Sequence, residues 1–274
     1  MSTISNGSVT LHVEDTGGDG RPVVLVHGWP LSGASWSDQV PALTDAGFRV
    51  VTYDRRGFGE SDKPGSDSGY DYDTLTSDLD AVMTGLDLRD ATIVGFSMGG
   101  GEVARYLGSV GSERVHSAVF AAAIPPCLAL DDDHPDGALD DDTVAGYQAA
   151  LEADPRGFLD GFTRNFFSAN GELVVTEAQQ QEALGLGLQA DVHAARECIR
   201  SWTTDFTGDL AAVTVPTLVI HGDSDAIVPF EKSGQRTHEQ VSGSELHVVE
   251  GGPHGINTSH AQEFNRELLA FLER

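Results

Sequence analysis

The sequence predicts an α/β fold with a mostly parallel central sheet, helices on both faces of the sheet and a helical cap inserted into it. Continuous apolar runs such as 23–26 are typical of strands that are buried on both faces of a parallel sheet. Helical patterns alternate with these runs, which favours right-handed crossover connections. From residue 125 to residue 212 no run of comparable strength occurs. We therefore predict a core formed by 1–124 and 213–274, with a helical cap insertion at 125–212.

The predicted elements begin with a strand at 8–14, whose alternation of polar and apolar residues is typical of a half-buried antiparallel strand. Apolar runs predict the later strands, at 23–26, 49–53, 91–96, 115–124, 215–220 and 246–250. Apolar residues at helical spacing predict helices at 35–46, 75–86, 102–107, 230–241 and 259–272.

The chain is strongly acidic, with 43 Asp and Glu against 16 Lys and Arg and a formal net charge of −27 over 274 residues. We expect binding neither to nucleic acid nor to a membrane surface, because both need clustered basic residues. No apolar stretch approaches the length of a membrane span, and the first residues lack the character of a signal peptide, so we expect a cytoplasmic protein. Cys127 and Cys198 lie far apart in no metal-binding spacing. We expect two buried free thiols and no bound metal.

The most informative motif places Ser97 between Gly95 and Gly99 in the spacing G-x-S-x-G, after a predicted strand and before a predicted helix. In this setting the serine lies on a turn so tight that a side chain beside it would not fit. The motif alone arises often by chance. Its interpretation as a nucleophile therefore requires a general base, an orienting acid and an oxyanion hole elsewhere in the chain.

Loops after predicted strands supply a base and an acid. His254 follows the last predicted strand in a glycine-rich loop and is the predicted general base. The loop after the preceding strand offers Asp223 and Asp225. We favour Asp225 as the acid that orients His254, because Asp223 is better placed to form a turn with nearby backbone N–H groups. The chain order Ser97, Asp225, His254 is the one expected of an α/β-hydrolase.

Two backbone N–H groups are predicted to form the oxyanion hole. Met98 supplies one as the residue after the nucleophile, and Trp29 supplies the other from the loop that follows the strand 23–26. Pro30 has no N–H and shapes this loop. We expect His27 to brace the loop through a hydrogen bond.

The substrate pocket is predicted from apolar residues near these loops and in the cap: Pro30, Ile124, Phe158, Phe162, Ile227 and Phe230. The cap aromatics, with Phe166, Phe167 and Trp202, fit an acyl pocket and the core of the cap equally well. The acidic stretch 131–137 resembles a calcium-binding loop, but Pro135 occupies a ligand position and no downstream glutamate completes the pattern. We expect a solvent-exposed loop at this place.

Six segments spread over nearly the whole chain carry a family resemblance. They are HGWPLSG at 27–33, YDRRGFGESD at 53–62, GFSMGGGEVARY at 95–106, DHPDG at 133–137, WTTDF at 202–206 and GPHG at 252–255. Together they resemble the cofactor-free haloperoxidases, also called perhydrolases, of the α/β-hydrolase fold.

The resemblance implies an enzyme without metal or haem that hydrolyses small esters. With H₂O₂ and a carboxylic acid, such an enzyme forms a peracid that oxidises halide in solution. The family positions fall on Ser97, His254 and Asp225, with backbone donors at Trp29 and Met98. The expected partners are a small acyl ester or carboxylic acid, H₂O₂ and halide, with no cofactor. The family also implies a homo-oligomer.

Other functions use the same residues. A carbon–carbon bond hydrolase or a lactonase would share the three catalytic residues, and a small-molecule receptor of this fold would use its pocket for binding alone. A dehalogenase or an epoxide hydrolase in its usual form would need an aspartate in place of Ser97.

The acidic composition also indicates a host with a salt-rich cytoplasm, because repulsion between surface charges is screened beyond about 3 Å at 1 M salt. We expect the melting temperature to rise when KCl is raised from a low to a molar concentration. Thermal unfolding followed by circular dichroism measures this. A melting temperature that stays constant would indicate an acidic protein without salt adaptation.

Overall fold

An eight-stranded sheet forms the centre of the protein in residues 2–65 and 69–274, the part of the chain that this computed structural model describes. Its strands are β1 (Ser2–Asn6), β2 (Val9–Asp15), β3 (Pro22–Val26), β4 (Arg49–Tyr53), β5 (Ala91–Phe96), β6 (Val115–Ala121), β9 (Thr217–Gly222) and β10 (Glu245–Val249). β7 (Ser168–Ala169) and β8 (Glu172–Leu173) form a separate hairpin. The order in the sheet is β1-β2-β4-β3-β5-β6-β9-β10. β1 with β2 and β2 with β4 are antiparallel, and all other neighbours are parallel, which confirms the predicted sheet.

The helices are α1 (Gln39–Asp45), α2 (Tyr72–Gly85), α3 (Met98–Arg105), α4 (Asp141–Ala153), α5 (Pro155–Phe166), α6 (Glu177–Gly187), α7 (Val192–Ser201), α8 (Thr207–Ala211), α9 (Gly234–Gln240), α10 (Ile256–Ser259) and α11 (Ala261–Leu272). α1 and α11 pack on one face of the sheet, and α2 and α3 pack on the other. No helix in the described part of the chain is both long and apolar enough to cross a lipid bilayer.

The core lies on both faces of the sheet because alternate side chains of each strand point to opposite sides. In β3, Val23 and Leu25 belong to the cluster that contains α1 and α11, whereas Val24 and Val26 belong to the cluster that contains α2 and α3. All four are fully buried. A continuous apolar run is therefore what this position in the sheet requires.

The segment between β6 and β9 holds the helices α4 to α8 and the small hairpin. Side-chain caps define where four of these helices begin. Asp140, Asp154 and Asp191 each accept a hydrogen bond from the backbone N–H three residues later. Thr176 and Gln179 form a reciprocal capping box at the start of α6. The helical character of the segment follows from its sequence, while the domain boundaries at 125 and 212 stay a prediction.

Predicted and observed elements differ mainly at their ends. The helix predicted at 75–86 begins at Tyr72, because the side chain of Asp71 caps it through the Thr74 N–H. The strand predicted to reach residue 124 ends at Ala121, since Ala122 turns the chain with a φ of 44°. The ranges predicted as helices at 35–46 and 230–241 each begin in a short 3₁₀ turn, Gly33–Trp36 and Phe230–Lys232, before α1 and α9 start. β1 was not predicted because it is a mostly exposed edge strand. Both cysteines are buried and unpaired.

Candidate active site

Ser97 occupies a strained turn between β5 and α3. Its φ is 54° and its ψ is −119°, a conformation that residues with a side chain rarely adopt. The glycines around it allow the chains to approach closely. A Cβ atom at Gly95 would lie 2.5 Å from the carbonyl oxygen of Gly99, and one at Gly99 would lie 2.5 Å from that of Val26. The motif therefore places Ser97 at the carboxyl end of the central strands.

The three residues predicted for acyl transfer form one continuous chain of hydrogen bonds. The Nε2 atom of His254 lies 2.9 Å from Ser97 Oγ, and its Nδ1 atom lies 2.7 Å from Asp225 Oδ2. Asp225 accepts only, so Nδ1 carries the hydrogen and the lone pair of Nε2 faces the serine hydroxyl. The rings of Phe96 and Phe166 pack against the imidazole at 5.2 Å and 4.8 Å between centroids. The arrangement can accept a proton from Ser97 in a site that excludes water from the sides of the imidazole.

Asp225 is fixed from several directions. Its Oδ1 atom accepts hydrogen bonds from the backbone N–H groups of Ile227 and Val228, at 2.9 Å and 2.8 Å. Burial alone would raise the pKa of the carboxyl group, but His254 and His221 together lower it below its ordinary value. Asp225 is therefore ionised at neutral pH and can stabilise a protonated His254.

His221 is a contact of the candidate site that the sequence analysis missed. Its Nε2 atom donates to the carbonyl oxygen of Val228 at 2.8 Å and lies 3.2 Å from Asp225 Oδ2, with the side chain fully buried. His221 lies four residues before Asp225 at the end of β9, and this position was the sequence signal that could have indicated its contact with the site. Asp223 instead lies at the surface, where its carboxylate accepts the N–H of Gly251 at 2.8 Å.

The two predicted oxyanion donors lie beside the serine. Met98 is the first residue of α3, where a helix leaves its N–H groups without an internal acceptor. The loop that contains Trp29 passes directly alongside, since a Cβ atom at Gly28 would lie 3.1 Å from the Cβ of Ser97. Trp29 and Ser97 line the same cavity.

A buried network holds this loop from behind. The backbone N–H of Arg55 donates to His27 Nε2 at 3.0 Å, and His27 Nδ1 donates to the carbonyl oxygen of Gly28 at 2.9 Å. The Arg55 guanidinium donates to the carbonyl oxygen of His27 at 2.6 Å. Burial and the charge of Arg55 hold the pKa of His27 well below its ordinary value. His27 is therefore neutral and braces the loop.

The same guanidinium joins the loop to α3. Arg55 Nε donates to Glu102 Oε1 at 2.7 Å, and the Tyr53 hydroxyl donates to Glu102 Oε2 at the same distance. Burial alone would lower the pKa of Arg55, but the charge of Glu102 raises it above its ordinary value. Glu102 lies one turn after Met98, so this buried ion pair connects the two segments that carry the predicted oxyanion donors.

A small cavity of about 30 Å³ opens over the serine. The predicted residues Ile124, Phe162 and Ile227 line it, and the structure does not bring the other three to it. Phe158 packs edge-on against Trp29, Phe230 packs against His221, and Pro30 packs near Gly187 of the cap. The remaining lining residues are Trp29, Ser97, Leu128, Leu139, Tyr147, Trp202 and Val228. Of the cap aromatics, Phe162 and Trp202 line the cavity, whereas Phe166 packs against His254 and Phe167 packs against Phe166.

Comparison with known proteins agrees with the observed fold and identifies the family. The family model of the alpha/beta hydrolase fold matches residues 21–261. A non-heme chloroperoxidase of Kitasatospora aureofaciens is 41% identical, with 94% of each chain covered. A bifunctional esterase/perhydrolase of Acinetobacter calcoaceticus is 35% identical, with 96% of each chain covered. The crystal structure of a bromoperoxidase from Bacillus anthracis is 48% identical with a TM-score of 0.96, and the match covers 100% of this chain and 99% of that one.

The chain therefore belongs to the α/β-hydrolase fold family and is an enzyme of this family. Within the family it belongs with the non-heme haloperoxidases and the esterase/perhydrolases.

We predict that Glu102→Gln lowers the free energy of unfolding by about 3 kcal/mol, because it leaves the charge of Arg55 buried without a counter-ion. Urea unfolding at neutral pH measures the loss. Glu113→Gln is the matched control at an exposed position, where a change within about 0.5 kcal/mol is expected. A loss no larger than that of the control would show that the ion pair does not stabilise the fold.

Proposed function

We propose that the protein is a serine esterase and perhydrolase, with Ser97 as nucleophile, His254 as general base and acid, and Asp225 as the residue that orients His254. The observation that carries the proposal is the continuous hydrogen-bonded chain from Ser97 Oγ through His254 to the ionised Asp225. The close relationship to esterase/perhydrolases and non-heme haloperoxidases supports it.

In the first half of the reaction, Ser97 Oγ attacks the acyl carbon while His254 Nε2 takes the hydroxyl proton. Asp225 stabilises the imidazolium that forms, and the N–H groups of Trp29 and Met98 stabilise the negative charge on the acyl oxygen. His254 then gives the proton to the leaving alcohol of an ester, or to the leaving water of a carboxylic acid. The product is an acyl group on Ser97.

In the second half, water or H₂O₂ attacks the acyl carbon and His254 takes its proton. The proton passes to Ser97 Oγ as the acyl bond breaks. Water yields a carboxylic acid, and H₂O₂ yields a peroxycarboxylic acid. The peracid transfers its terminal oxygen atom to halide in solution, which gives hypohalite and regenerates the carboxylic acid. One site therefore serves both activities, and no step needs a metal or an organic cofactor.

The cavity supports a short acyl chain as substrate. Its volume of about 30 Å³ leaves room for only a small group beside Ser97. Apolar side chains such as Ile124 and Phe162 line it, which favours an acyl group without charge. A carbon–carbon bond hydrolase or a lactonase would have to place a larger substrate here. The homo-oligomer and the cytoplasmic location stay predictions.

We expect Ser97→Ala to lower hydrolysis of p-nitrophenyl acetate by at least about 10³-fold, because the nucleophile is lost while substrate binding remains. Bromination of a phenolic dye with acetate, H₂O₂ and bromide should be lost in parallel. Ser109→Ala, at an exposed serine, is the matched control and should retain both activities.

Three results would contradict the proposal. Bromination that persists in Ser97→Ala would show that the peracid does not form on Ser97. Wild-type turnover of a ring-cleavage diketone that exceeds turnover of the short ester would favour the carbon–carbon bond hydrolase. Binding of a small acyl ester without turnover by the wild type would favour a receptor.

A further inference from the structure

Three side chains with metal-ligating atoms meet at the base of the cap, apart from the residues proposed for catalysis. Cys127 lies between β6 and α4, His134 lies in the acidic loop 131–137, and Asp205 lies between α7 and α8. The Cys127 sulfur, an imidazole nitrogen and a carboxylate oxygen all lie within 4.8 Å of one another. Cys127 is buried, whereas His134 and Asp205 reach solvent.

Backbone hydrogen bonds hold these residues in register. The N–H of Phe206 donates to the carbonyl oxygen of Pro126 at 2.7 Å, which places Asp205 beside Cys127. The N–H of Leu139 donates to the carbonyl oxygen of Leu128 at 2.8 Å, which folds the acidic loop back over both. The cluster is therefore a product of the fold and does not depend on one flexible loop alone.

His134 is oriented in the way of a metal-binding histidine. Its Nδ1 atom lies 2.9 Å from Asp131 Oδ1 and donates a hydrogen bond to it, since a carboxylate only accepts. Asp131 is itself held by the backbone N–H groups of Asp133 and His134. The Nε2 atom of His134 faces Asp205 Oδ2 at 3.7 Å, beyond hydrogen-bond distance. A carboxylate that fixes one imidazole nitrogen while the other faces further ligands is the usual second layer of a metal site.

The donor set selects the kind of ion. A thiolate, an imidazole and one carboxylate suit zinc and similar transition metals, whereas calcium and magnesium need oxygen ligands. The thiolate and the carboxylate of Asp205 together balance a charge of two. The loop adds further negative charge at Asp131, Asp132, Asp133 and Asp136. The nearby cation, Arg236, lies within 3.5 Å of the carbonyl oxygens of Cys127 and Asp136.

The geometry needs only a small contraction. Bond lengths of about 2.0–2.3 Å to zinc place tetrahedral ligand atoms about 3.3–3.8 Å apart, so the cluster must close by about 1 Å. His134 and Asp205 have the solvent exposure to make this movement. Burial raises the pKa of the Cys127 thiol above its ordinary value, so a bound metal has to displace the thiol proton.

We propose that Cys127, His134 and Asp205 form a three-ligand site for a divalent transition metal of the zinc type, with a water molecule as the fourth ligand. Binding releases the thiol proton of Cys127 to solvent and joins the start of the cap to the segment before α8. The site takes no part in acyl transfer. The bound metal stabilises the cap by linking these two segments.

Cobalt(II) titration of the full-length protein, after chelator treatment and dialysis, tests the proposal directly. Tetrahedral Co²⁺ bound to a thiolate gives a sulfur-to-metal charge-transfer band in the near ultraviolet. We expect this band to saturate at one Co²⁺ per chain and Zn²⁺ to displace it. Cys127→Ser should abolish the band, and His134→Asn should weaken Co²⁺ binding by at least about tenfold.

Two controls separate the site from general cation binding by an acidic surface. His116 lies 2.9 Å from Asp90 in a surface pair that resembles the pair of His134 and Asp131, so His116→Asn should leave the band unchanged. Cys198→Ser, at the other buried thiol, should also retain it. Circular dichroism verifies that each variant is folded. Absence of the band in the wild type, or its persistence in folded Cys127→Ser, would overturn the proposal.

Discussion

The strained turn at Ser97 is the constraint on which the rest of the site depends. A serine with a positive φ is stable there only because α3 and the ends of β3 and β5 pack around it, with glycine where the backbones meet. The same close approach places the N–H of Met98 and the loop of Trp29 beside the serine hydroxyl. Arg55 and Glu102 then hold both segments from behind. The proposed nucleophile and the predicted oxyanion donors are thus parts of one packed arrangement.

The fold and the three proposed catalytic residues were accessible from the sequence because their signals are local. A strand buried on both faces must be continuously apolar, and parallel strands bring the loops after their carboxyl ends to the same edge of the sheet. Ser97, Asp225 and His254 each follow such a strand, so their order in the chain was enough to suggest that they meet. The ends of helices were less accessible, since they depend on a single capping side chain such as Asp71.

The pocket and the bracing contacts could not be predicted in the same way, because they arise from residues distant in sequence. Tyr147 and Leu139 reach the cavity only through the packing of the cap. Phe158 lies one helical turn before Phe162 in α5 and was predicted to line the cavity with it, but its ring packs against Trp29 instead. The role of Arg55 depends on Glu102, which lies in another element. Pairwise contacts of this kind leave no periodic pattern in a single sequence.

The proposed function requires that acyl transfer pass through a covalent intermediate on Ser97. The most direct measurement is mass spectrometry of the protein after brief mixing with p-nitrophenyl acetate and an acid quench. We expect one acetyl group on the peptide that contains Ser97, and a faster loss of that group when H₂O₂ is added before the quench. Turnover of the ester with no acetyl group on Ser97, or with the acetyl group on another residue, would contradict it.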